Sequence, residues 1–153
     1  ISENFNFVIS SNMSTVRLTK DESSPVRKNI SKAAVWSWPA TGKVQPASSA
    51  LGTKGIQILG KAGQQVKAAG RGTVVYSGSG LRGYGQLIIV KHNAQFLSAY
   101  AHNARLVVSE GESVSQGQKI AEMGDTEADR VMLHFEIRRD GKAVAPLEYL
   151  PRR

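Results

Sequence analysis

The sequence predicts an all-β fold: one mostly antiparallel domain over residues 36–153, preceded by an N-terminal extension of residues 1–35. Three observations carry this. Short β-branched runs alternate apolar and polar positions, the period of a strand with one buried face. Fifteen glycines and five prolines punctuate those runs. After Val35 no stretch sustains the apolar spacing of about 3.6 residues that an amphipathic helix requires, so any helix there is a turn or two. A length of 153 residues suits a single well-buried core.

Taken in order, the extension places Phe5, Phe7 and Ile9, then Val16 and Leu18, in alternation around Ser11–Ser14, the pattern of a hairpin. Ser24-Pro25 then offers an N-cap followed by proline at the first helical position, with Val26, Ile30 and Ala34 at helical spacing. A linker is the equally open alternative. Trp36 and Trp38, two apart, are expected on one strand face, packed in the core or stacked on a sugar ring. The expected strands are Thr73–Tyr76, Leu87–His92, Phe96–His102, Lys119–Met123 and Val131–Arg138. Asn93-Ala94-Gln95 is short enough for a hairpin loop, so the second and third of these pair antiparallel and His92 lies near their turn.

Composition narrows the function classes. Twenty basic against twelve acidic residues give a net charge of +8, a general attraction to polyanions that selects none of them. Cysteine is absent, which removes disulfides and thiolate metal sites. No apolar run reaches the ~18–20 residues that cross a bilayer, and residues 1–20 lack a basic start with an apolar core, so the chain as given is expected to be soluble. Gly78-Ser79-Gly80-Leu81-Arg82-Gly83 matches G-x-G-x-x-G, but a strand follows it where phosphate binding needs a helix N-terminus. Neither a nucleotide nor a nucleic acid is expected. The loop instead serves as a flexible turn, or presents Arg82 and Tyr84 at a rim.

A series of motifs carries more information than any one of them. Trp36-Ser37-Trp38-Pro39, Lys54-Gly55-Ile56, Gly72 to Gly78, Tyr100-Ala101-His102, Gly111 to Ile120, and Leu133-His134-Phe135-Glu136-Ile137-Arg138 resemble the LytM (lysostaphin-type) peptidase family in order and spacing over roughly residues 36–150. The resemblance implies a LytM-type duplicated hybrid-motif β domain with a groove. Active members of that family hold zinc with His-x-x-x-Asp and the second histidine of His-x-His, and two further histidines assist. On this chain the ligand positions fall on Thr53, Gln57 and His134, and the assisting positions on His102 and Met132. Zinc binding energies of roughly 10–16 kcal/mol come from several imidazole or anionic ligands together, and a hydroxyl with a neutral carboxamide contributes little of that. No catalytic residue, metal or other cofactor is therefore expected.

Leu81-Arg82-Gly83-Tyr84-Gly85, Lys91-His92-Asn93, Ser98 to Asn103 and Pro146 to Pro151 resemble the NlpD-like branch of that family. The resemblance implies a non-catalytic activator of periplasmic N-acetylmuramoyl-L-alanine amidases, which split septal peptidoglycan as daughter cells separate. It also implies lipid anchoring to the outer membrane in the full-length protein. The partner is then the amidase, with peptidoglycan as a second candidate. A partner-binding groove is expected from Arg82, Tyr84, Tyr100, Asn103 and Arg138, over a floor of Thr53, Gln57, Tyr100, His102, Met132 and His134. Bland alternatives stand beside these: His134 as a hydrogen-bonded strand residue, Met132 as core, and Arg138, Arg139 and Lys142 as a solvated rim. A peptidoglycan-binding module and an active zinc endopeptidase are the rival functions.

Overall fold

A computed structural model describes residues 36–47 and 54–152. The hairpin and helix expected in the extension, and Thr53, lie outside the described residues. Ten strands follow in chain order: β1 (Val44–Pro46), β2 (Ile56–Leu59), β3 (Gln65–Lys67), β4 (Gly72–Gly78), β5 (Gln86–Lys91), β6 (Phe96–Leu106), β7 (Ser113–Val114), β8 (Lys119–Met123), β9 (Met132–Arg139) and β10 (Lys142–Val144). One 3-10 turn, Pro146–Glu148, opens on a proline suited to a position that needs no amide donor.

Every pairing is antiparallel, and the strands run β1-β2-β9-β6-β5-β4-β7 across the sheet, with β10 on β9 and β3 joined through β8 to β6. The five runs legible in the alternation are present, Lys119–Met123 with the expected ends and the others shifted or extended at their ends. The hairpin forms across Asn93, whose carboxamide oxygen accepts the amides of Gln95 and Phe96 and so pins the turn. Lys91 is then opposite Leu97. One expectation is corrected: Trp36–Trp38 is not a strand. Trp36 is buried edge-on against His92, Phe96 and Tyr149, while Trp38 donates its indole N–H to the Pro151 carbonyl, so the two rings do different work.

Alternation sorts β6 and β9 onto two faces. Tyr100 pairs with Phe135, and with Ile56, Ile58, Ile88, Val90, Leu133 and Ile137 it builds the larger core. Ala101 pairs with His134 and Ala99 with Glu136, on the opposite face, where Val75, Leu81, Tyr84, Leu87, Ile89 and Leu97 form a smaller cluster. Each fully buried aliphatic side chain contributes about 1.5–3 kcal/mol, so both faces are held. The polar site therefore sits on the smaller core.

β6 is the hub, with eleven residues and three partners. It pairs with β9 up to Ala101 and with β8 from Asn103 onward. The change of partner falls at His102, whose backbone takes the left-handed conformation (φ 70°). That region is uncommon for a residue with a side chain and recurs at functional sites.

Candidate functional site

The site is assembled on the smaller-core face where β2, β9 and β6 lie side by side. Gln57 of β2 is opposite His134 of β9, which is opposite Ala101 of β6. Residues two apart on β9 share this face, so Met132, His134, Glu136 and Arg138 form one row. The kink at His102 brings its ring edge-on to His134, with centroids 6.0 Å apart.

Glu136 organises the row. It is fully buried, and its carboxylate accepts from His134 Nε2 (2.7 Å), from the Tyr84 hydroxyl (3.2 Å) and from Arg138 Nε (2.8 Å). Burial alone would raise its pKa, but the His134 hydrogen bond and the charges of His134 and Arg138 hold it well below the usual carboxylate range. Burial and the neighbouring carboxylate push the Tyr84 phenol up, so it stays a donor. Arg138 also reaches the Gly141 carbonyl. The His134 Nδ1 atom has no hydrogen-bond partner, although it is buried.

His102 is held from the other side. Its amide donates to the Tyr84 carbonyl, and its Nδ1 lies 2.8 Å from the Thr126 carbonyl, so Nδ1 carries the proton and Nε2 keeps a lone pair. Burial lowers its pKa, the Thr126 carbonyl opposing and the neighbouring His134 reinforcing the shift. Thr126 also clasps the loop before β5: its hydroxyl donates to the Asn103 carbonyl and accepts the Gln86 amide, while Glu127 accepts the Gly83 amide. Gly85 is required here, because its φ is +65° and a Cβ would lie 2.3 Å from the Thr126 carbonyl oxygen.

The structure brings His102, His134, Met132 and Gln57 to one place and separates several other expected residues. Tyr100 is corrected: it points to the larger core, where its hydroxyl accepts the Ala69 amide and meets Ser98. Tyr84 is buried under Glu136 and not presented at a rim. Asn103 is buried, its amide nitrogen spent on the Gln86 and Tyr100 carbonyls. Arg138 is buried as the counter-charge of Glu136, not solvated. Arg82 alone of that expected set is exposed. Glu136 was missed as a site residue, and its signal was simple: an acid two positions after His134 on a strand must share its face.

The donor chemistry around His134 is specific. Gln57 Oε1 accepts from Gln45 Nε2 at 2.9 Å, so a neutral carboxamide faces His134 across β2 and β9. Met132 is buried on the same row. Among the described residues, no group of three or more His, Cys, Asp or Glu is placed to hold a metal ion.

Comparison with known proteins gives the relationship. The model of peptidase family M23 matches residues 52–146. The lipoprotein NlpD/LppB homolog of Pseudomonas aeruginosa is 62% identical over 120 residues, covering 77% of this chain and 40% of that protein. The murein hydrolase activator NlpD of Escherichia coli is 53% identical over 122 residues, covering 78% of this chain and 32% of that protein. The chain thus spans about two-fifths or less of these relatives. Among solved structures, the catalytic domain of lysostaphin from Staphylococcus simulans is 26% identical with a TM-score of 0.61, covering 72% of this chain and 87% of that one. A zinc-containing peptidase from Vibrio cholerae is 26% identical with a TM-score of 0.57, covering 70% and 35%.

Proposed function

This chain belongs to peptidase family M23, and we propose that it acts without catalysis, as an activator of cell-wall amidases that cleave peptidoglycan. In this reading residues 36–153 form the acting domain, residues 1–35 are an extension ahead of it, and the full-length protein works in the periplasm, anchored to the outer membrane by lipid. The names of its relatives, murein hydrolase activator and outer-membrane or NlpD/LppB lipoprotein, support both role and place.

One observation carries the non-catalytic part. The described residues fit catalytic zinc poorly: Gln57 offers a neutral carboxamide already bonded to Gln45, Met132 offers a thioether, and the imidazole lone pairs left are those of His134 Nδ1 and His102 Nε2. A catalytic zinc needs about three protein ligands and an open position for water. What remains is a buried polar cluster around His102 and His134, with Arg82 exposed in the loop before β5.

Activation then follows population-shift logic. The domain raises amidase activity by binding an open amidase more tightly than an occluded one, since equal affinity for both shifts nothing. The test is purified chain mixed with a purified amidase and dye-labelled peptidoglycan. Dye release by the mixture, none by the chain alone, and no loss of stimulation after the chain is treated with chelator are expected. Dye release by the chain alone that a chelator abolishes would establish the endopeptidase instead, and sacculus binding with no stimulation would leave a wall-binding module.

A further inference from the structure

A second site lies at the far end of β6, about 20 Å from His102 measured along the strand. A cleft of about 270 Å³ opens there between the residues before β4, the β5–β6 turn and the loop after β7. Its floor is aromatic: Trp36, His92 and Phe96 meet edge to face. His92 is an uncharged wall, with Nδ1 bonded to the Arg71 carbonyl and Nε2 to the Ser98 hydroxyl, and burial takes its pKa down to about 4.

The polar groups around this floor are nearly all donors. Three acceptors at its edge are engaged: Asn93 Oδ1 takes two amides, the Arg71 carbonyl takes His92, and the Ala69 carbonyl behind takes Gln116 and Ser37. The Asn93 amide nitrogen, the Arg71 guanidinium, the Ser115 hydroxyl and the Trp36 indole N–H have no partner among the described residues. Trp36 is 5% exposed and lines this cleft. No Asp or Glu is among the lining residues, and the chain carries a net charge of +8.

That inventory selects the ligand. A sugar ring presents hydroxyls that donate as well as accept, and no carboxylate stands among the lining residues to take their protons. An ionised carboxylate only accepts, and it gains most from a guanidinium. The aromatic floor takes an apolar group, and the volume holds a small one. We propose that this cleft binds the free carboxylate end of a peptide that carries a small apolar side chain. Such an end occurs on cell-wall stem peptides, with a D-configured terminal residue, and at protein C-termini, with an L-configured one.

Heteronuclear NMR on the whole chain tests this with four probes: N-acetyl-D-Ala-D-Ala, N-acetyl-L-Ala-L-Ala and the C-terminal amide of each. The chain has two tryptophans, and the indole N–H of Trp38 is already bonded. The expected result is a saturable shift of the Trp36 indole resonance with at least one acid, a Trp38 resonance that stays in place, and at least tenfold weaker binding of the matching amide. Stronger binding of the D-acid assigns the stem peptide, and stronger binding of the L-acid assigns a protein C-terminus. Arg71→Gln removes an exposed cation, and Asn93→Asp keeps the turn-pinning oxygens while replacing the donor with a negative charge. Each should weaken binding at least tenfold without disturbing the rest of the spectrum. Equal binding of acid and amide, shifts that map to His102 and His134, or no Trp36 shift at millimolar acid would overturn the proposal. Amidase stimulation by Arg71→Gln should equal that of the parent chain, so the two readings fail separately.

Discussion

Two buried polar networks occupy opposite faces of the same pair of strands, and they are built on opposite plans. On the larger-core face the Ala69 amide donates to the Tyr100 hydroxyl, which donates to Ser98, which donates to His92 Nε2, whose Nδ1–H donates to the Arg71 carbonyl. Every member is neutral and every group in the relay is used. On the other face Glu136 gathers His134, Tyr84 and Arg138, carries charge, and leaves His134 Nδ1 unmatched, with the Asn103 Oδ1 atom close by in sequence to His102 also unmatched. A closed neutral relay fixes a fold. A charged network with unmatched buried atoms is unusual, since native buried groups are nearly always paired.

The sharpest way to break this contrast is Arg138→Met. Removing the counter-charge leaves Glu136 buried and unbalanced, and urea unfolding should show a loss of about 3–5 kcal/mol. Adding Glu136→Gln should recover most of it; no recovery would mean that Arg138 acts through packing. On the neutral face, Tyr100→Phe removes the one acceptor of the Ala69 amide and should cost about 1–3 kcal/mol in the same assay. A loss as large as that of Arg138→Met would erase the distinction between the faces.

His92 gives a smaller, pH-dependent effect. Its folded-state pKa of about 4 lies below the ordinary value of 6.5, so the unfolded chain binds the extra proton first as pH falls. The stabilisation is complete above pH 6.5 and is lost as pH falls towards 4. About 1–2 kcal/mol is expected, allowing for the partial exposure of the ring. Unfolding curves across that range should lose this slope in His92→Gln; an unchanged slope would place the titration elsewhere. The smallest expected effect is that of zinc. A chelator, or one equivalent of added zinc, should leave the melting temperature of the chain unchanged, because an ion that is not bound cannot stabilise the folded state.

Sequence reading succeeded where a strand was long enough to show its period. β4, β5, β6, β8 and β9 are each five or more residues long. β1, β2, β3, β7 and β10, with two to four residues each, have no period to read and exist because a neighbour pairs with them. Gln57, His102, Met132 and His134 could be named from the sequence, but which residues around them are exposed could not. Arg138 has the composition of a rim residue and is buried only because Glu136 needs it. Tyr100 is two residues from His102, a spacing that shares a face in a regular strand, yet the left-handed turn at His102 breaks the parity. No local pattern announces such a kink, since it arises where β6 exchanges β9 for β8.

The placement of β9 between β2 and β6 also sets the order in which the molecule can be made. β9 is the penultimate strand in the chain but a central one in space, so β2 and β6 wait with unpaired edges until residues 132–139 have been supplied. Such distant pairings slow folding and leave open edges that invite aggregation. A growing chain that stops before Met132 lacks the strand that joins β2 to β6, and the sheet closes only when β9 arrives.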